Sequence, residues 1–196
     1  MNLRCSAVLA CISLLLASGG AAHADRIGEE KGRELVGPDG RTLIDKQDGF
    51  SIVLPASDWK VYLHRWEGTA MDAPFTLFIA NPAGDSRVRV IGKIFPKEAF
   101  PFPLTLEMER KMFESHPDPR EKVLRTQILE AAGTKCLERE WESTINDRVT
   151  HHLGRVCDQD LRHKFTVETW LGIPADQWPA EEKVLRELVK SFRVLR

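Results

Sequence analysis

Cys136 and Cys157 flank a segment whose turn can be read from its residues. Asn146-Asp147, between them, suits a two-residue hairpin turn, because both residue types tolerate positive φ. Counting outward from that turn places Cys136 directly across from Cys157, in the closer, non-hydrogen-bonded class of pair. A cross-strand disulfide is geometrically feasible there. A redox role lacks its signature, since no C-x-x-C opens a helix to depress a thiol pKa. The pair is expected to be a structural bridge.

The same register lines up a polar ladder: Glu138 opposite Arg155, Glu140 opposite Leu153, and Glu142 opposite His151. If Gln159-Asp160 is the next two-residue turn, Glu168 falls beside His151 and Lys164 beside Arg155. Glu142, His151 and Glu168 would then stand side by side on three strands. Two carboxylates and an imidazole could hold a divalent metal or move a proton. The same three groups also make sense as a cross-strand charge set that keeps a solvated face soluble. The metal reading needs both turns to be correct. On the opposite face, Leu137, Trp141, Val156, Phe165 and Val167 are expected to form the core, with Gly154 making room beside Phe165.

Other candidates are weaker. His151 and His152 are neighbours on a strand, so their rings point to opposite faces and cannot share one ion. His64 and His116 are isolated, with His116 expected at a helix end, while His163 is expected on the core side opposite Val156. No serine sits in a G-x-S-x-G elbow, and no glycine-rich loop joins a strand to a helix to cradle phosphate. Five tryptophans (Trp59, Trp66, Trp141, Trp170, Trp178) could line an apolar or carbohydrate pocket, though core and sheet-edge packing explains most of them. Arg87, Arg89 and Lys93 alternate and could form an anion patch or simply a solvated strand face. No catalytic residue is nominated and no cofactor is expected.

The elements that must position these residues follow an apparent leader. Met1-Asn2-Leu3-Arg4, an apolar run from Ala7 to Ala17, and Ala22-His23-Ala24 before Asp25 have the layout of a secretory signal peptide. Val8-Leu9-Ala10-Cys11 resembles a lipoprotein box, but the apolar run continues past Cys11. Cleavage near Ala24 would discard Cys5 and Cys11 and deliver the chain to the periplasm or beyond, where disulfides persist. The remainder is long enough for one domain with a substantial core. With 28 basic and 29 acidic residues, the 196-residue chain has a net charge of −1, which gives no global field for nucleic acid. No second apolar stretch approaches a membrane span.

Residues 25–48 read as a flexible polar arm, with a short edge strand at Thr42-Leu43-Ile44, and residues 49–196 as a single domain. Strands are expected at Phe50–Leu54, Trp59–Trp66, Phe75–Ala80 and Arg87–Ile94. A helix follows over about 104–115, with Leu104, Met108 and Met112 at spacing four. Four more strands are expected at about 122–130, 134–144, 148–157 and 162–171. A closing helix is expected near 179–192, with Pro179 in its first turn and an apolar stripe from Val184 to Phe192. The fold class is α+β with a mainly antiparallel sheet.

Phe50-Ser51-Ile52-Val53-Leu54-Pro55, followed by Asp58-Trp59, resembles the opening of the PsbP-like superfamily. The terminal helix ending in Lys190-Ser191-Phe192-Arg193-Val194 is similar to that family's ending, and the resemblance covers about residues 48–195. It implies a central, mainly antiparallel sheet flanked by helices, an α/β/α sandwich, in proteins that bind or assemble rather than catalyse. No catalytic residue carries over, because the matching positions are core positions. The expected function is a non-enzymatic periplasmic binding or assembly protein of the envelope, its partner an envelope protein or a small ligand. The alternative is metal or small-ligand binding on the Glu142, His151 and Glu168 face.

Overall fold

The computed structural model describes residues 32–65, 75–83, 85–94, 104–115, 118–131, 133–160 and 162–195. The leader with its cleavage site, Trp66 and His116 lie outside these residues. The elements in chain order are β1 (Thr42–Asp45), β2 (Phe50–Val53), β3 (Lys60–Arg65), β4 (Phe75–Ala80) and β5 (Ser86–Ile94). Helix α1 (Leu106–Ser115) precedes β6 (Glu121–Ala131), β7 (Thr134–Ile145), β8 (Arg148–Asp158), β9 (His163–Thr169) and β10 (Ile173–Pro174). Helix α2 (Trp178–Ser191) and β11 (Arg193–Val194) close the chain.

All pairings among the described strands are antiparallel. The large sheet runs β3-β4-β5-β9-β8-β7-β6, with β10 also on β8, and a small sheet runs β1-β2-β11. The molecule is therefore a mainly antiparallel sheet with two helices among the described residues. None of its described helices is long and apolar enough to cross a membrane.

The β7–β8 turn forms where expected. Asn146 and Asp147 take φ of 50° and 60°, the mirror-image turn whose twist matches the strands it joins. Cys136 then faces Cys157 with Cα atoms 4.1 Å apart, and the two are disulfide-bonded. The Glu138–Arg155, Glu140–Leu153 and Glu142–His151 pairings also form.

The next connection differs. β8 and β9 pair Asp158 with Lys164, Cys157 with Phe165 and Gly154 with Glu168. A longer loop separates them: the Asp160 carboxylate accepts from the backbone N–H groups of Arg162 (2.7 Å) and His163 (2.8 Å), folding the chain locally before pairing resumes. The register moves by three residues relative to a two-residue turn. Because side chains alternate, an odd displacement moves every β9 residue to the other face. Phe165 and Val167 thus share a face with Cys157, while Glu168 joins Trp141 and Val156. His163 pairs with Ile94 and bonds Asp160 rather than facing Val156. Gly154 packs against Glu168 and Trp141, and it is Gly92 that makes room for an aromatic ring: a Cβ there would lie 2.6 Å from Phe75.

The main core lies on the face bearing Val88, Val90, Phe165, Val167 and the disulfide. It is closed by Leu43, Phe50, Ile52 and Leu54 of the small sheet and by Leu185, Leu188, Val189 and Phe192 at the C-terminus. Phe50 stacks between Phe75 and Phe192, with centroids 5.2 and 5.7 Å away. This packing draws in residues expected to be a loose arm: β1 is hydrogen-bonded to β2 and Leu43 is fully buried. Helix α1 covers the opposite face near β6 and β7 through Leu106, which packs on Leu137 and Val156. Met108 and Met112, expected to belong to its apolar stripe, are 45% and 48% exposed.

Candidate functional site

The face opposite the main core carries a cleft of about 270 Å³. Alternation places Trp141 and Ser143 of β7, His152 of β8, Glu168 of β9 and Arg89 of β5 toward it, and Asp118, Arg120 and Glu121 form its rim at the start of β6. Trp170 and Leu171 enter it just after β9. They do so because the chain turns sharply there: Leu171 and Gly172 have φ of 58° and 71°, after which Ile173 pairs with His151. A side chain at Gly172 would collide with His152, its Cβ lying 2.5 Å from Cε1.

The two indoles are held from several sides. Trp141 stacks on His152 at 4.8 Å between centroids and meets Phe113 of α1 edge-on. Trp170 meets Phe78 edge-on at 5.1 Å and has the Arg89 guanidinium 4.2 Å from its centroid. Arg89 also donates to Glu168, and Arg139 lies 3.9 Å from the other oxygen of that carboxylate. Burial favours protonation of Glu168, but Arg89 and Arg139, with Lys93, outweigh it and hold the carboxyl below its usual range. On the rim Arg120 donates to Asp118 at 2.7 Å.

His152 Nε2 lies 2.8 Å from Ser143 Oγ and 3.0 Å from Thr150 Oγ1. The first distance is that of a nucleophile and its base. Burial, opposed by Glu168, pushes the His152 pKa down to about 4, so the ring is neutral and weakly basic at pH 7. Ser143 is buried and its hydroxyl is shared with Thr150 at 2.8 Å. The Ser143–Thr150–His152 cluster forms a hydrogen-bonded network behind the Trp141 ring.

The expected metal triplet does not form. Glu142 Oε1 lies 3.9 Å from His151 Nδ1, but Glu168 is on the opposite face, carried there by the β8–β9 register. His151 instead bonds Glu140 at 2.9 Å and stacks on Trp178 at 3.9 Å. Arg186 donates to the same Glu140 oxygen at 2.6 Å. Burial opposes the Glu140 charge, yet the bonds from Arg186 and His151 keep its carboxyl below its usual range. Next to it Arg155 donates twice to Glu138, at 3.0 and 2.8 Å, with both residues buried. Most of the ladder expected to be solvated is therefore a buried polar network, to which α2 contributes Arg186 and Trp178, with Glu142 left half-exposed. Among the described residues, no group of three or more His, Cys, Asp or Glu side chains is arranged to hold a metal ion. Arg87, Arg89 and Lys93 do not form an anion patch, since Arg87 pairs with Glu181 at 2.9 Å and Arg89 with Glu168.

Sequence reasoning missed Ser143, Arg120, Glu121, Asp118 and the Leu171-Gly172 turn as parts of a site. A usable signal was present in Trp170-Leu171-Gly172, where an aromatic precedes a glycine at a strand end.

No family model matches the chain, and no curated protein matches it. Among solved structures, it is similar to the cyanobacterial PsbP protein (CyanoP) of Synechocystis, at 15% identity and a TM-score of 0.52, over 79% of this chain and 91% of that one. It is also similar to LpqN of Mycobacterium tuberculosis, described as involved in cell envelope biogenesis, at 9% identity and a TM-score of 0.48, over 79% and 90% of the two chains. The Ran-binding protein Mog1p of Saccharomyces cerevisiae follows at 12% identity and a TM-score of 0.34, over 78% and 94%. The chain has a PsbP-like fold.

Proposed function

We propose that this chain is an exported, non-enzymatic binding or assembly protein of the cell envelope, acting through the cleft between Trp141 and Trp170. The observation that carries the reading is the state of the groups around that cleft. Its imidazole is neutral, its serine is buried, and Glu168 and Arg89 are ion-paired with each other. Such a site can hold a ligand by contact and hydrogen bonding, and its low-pKa imidazole is a weak base for the buried serine beside it. The PsbP-like fold supports the same reading, and among the described residues α1 and α2 lie on opposite sheet faces, which fits the α/β/α sandwich expected of that family. Export is supported by the leader pattern of residues 1–24 and by the disulfide, which suits an oxidising compartment.

Expression of the full chain in a Gram-negative host tests both parts. The reading expects a periplasmic species starting at Asp25 by mass, without free thiols, and unlabelled by a fluorophosphonate serine probe. A cytosolic, unprocessed chain would refute export. Stoichiometric labelling of Ser143 would instead favour a hydrolase built on the Ser143–His152 contact.

A further inference from the structure

We infer that the cleft takes the neutral ring of a saccharide, an assignment that rests on reading the cleft as a binding site. Its volume of about 270 Å³ is just below the roughly 300–1,000 Å³ of pockets for drug-sized ligands, so it suits one ring with the rest of the molecule outside. Two indoles line it; Trp141 is buried against His152 and Arg139, so it is the half-buried Trp170 whose flat indole offers a fixed apolar surface to the C–H face of a sugar. Both are braced before any ligand arrives, Trp141 by His152 and Phe113 and Trp170 by Phe78 and Arg89. A preorganised platform loses little freedom on binding.

The charges select against ionic ligands. Arg89 pairs with Glu168 and Arg120 with Asp118, while burial, reinforced by Asp118, raises the Glu121 carboxyl above its usual range. A cation entering the cleft would meet Arg89 and Arg120. An anion would meet Glu168, Asp118 and Glu121. A phenyl ring would cover these groups without returning hydrogen bonds, at a desolvation cost. Sugar hydroxyls both donate and accept, so one ring can satisfy the carboxylates and guanidinium groups together while resting on an indole.

The test follows indole and backbone N–H signals of the oxidised mature protein during titration with maltose, cellobiose and N,N′-diacetylchitobiose. Phenol, acetate and tetramethylammonium serve as counter-probes. At least one disaccharide is expected to shift the Trp141 or Trp170 indole and residues 168–171 saturably at millimolar concentration, leaving Trp59 and Trp178 still. Trp170→Ala should weaken that binding about tenfold or more, with the Trp59 and Trp178 signals showing an intact fold. Arg120→Ala, at an exposed rim position, should weaken it less. If a counter-probe perturbs the cleft and no saccharide does, the sugar assignment falls and the cleft remains a binding site. If nothing perturbs it, both fall.

Discussion

The two faces of the large sheet use the same residue types for opposite ends. Each carries an arginine–carboxylate contact, a histidine stacked on a tryptophan, and a covering helix. On the core face, Arg155 and Glu138 are almost fully enclosed, and His151 is shut between Glu140 and Trp178. On the cleft face, Arg89, Glu168, His152 and Trp170 border open volume. Coverage makes the difference: α2 and the small sheet close the first face, whereas α1 lies mainly over β6 and β7 on the second. A polar group enclosed with its partner specifies the fold, and the same group beside a cavity is available to a ligand.

This contrast predicts a ranking of mutational effects. Glu138→Ala should be the most damaging, leaving the buried Arg155 without its carboxylate at a cost of about 3–5 kcal/mol in urea unfolding. A comparable effect from Glu168→Ala would erase the distinction between the faces. The Cys136→Ala, Cys157→Ala double variant should lose about 3 kcal/mol, as should the reduced wild type, since the bridge closes a long loop in the unfolded chain.

A smaller effect is expected from His152 and depends on pH. Its folded pKa of about 4 lies below the ordinary 6.5, so between these values the unfolded chain binds the proton and the folded one does not. Stability should therefore fall as pH drops from 6.5 toward 4, by on the order of 1–2 kcal/mol once partial exposure of the ring is allowed for. His152→Gln should flatten that part of the profile. Glu140 and Glu168, whose pKa values are depressed, contribute above the normal carboxylate range, and that contribution should disappear at still lower pH. The least effect belongs to Met108→Ser and Met112→Ser on the exposed side of α1, within about 0.5 kcal/mol by thermal unfolding. A large loss there would mean that α1 is covered by something.

Local chemistry explains which features could be read from the sequence. Asn146-Asp147 admits few turn geometries, so the whole β7–β8 register, with the disulfide and the polar ladder, follows from two residues. Gln159-Asp160 admits more. The decisive contacts are the backbone bonds to Asp160, and nothing in the dipeptide distinguishes that loop from a two-residue turn. One odd displacement then moved Phe165, Val167 and Glu168 across the sheet, dissolved the metal triplet and assembled the cleft instead. The exposed methionines have a similar origin. Spacing four identifies a helix face, but only tertiary packing decides whether Leu106 or Met108 turns inward.

Division of labour between the faces is tested most directly by following the four described tryptophan indoles while the mature protein is titrated with the soluble fraction of a Gram-negative envelope. Trp141 and Trp170 report on the cleft, and Trp59 and Trp178 on the core. The account predicts saturable movement of the first pair with the second unmoved. Movement of Trp59 or Trp178 while the cleft indoles stay fixed would contradict it.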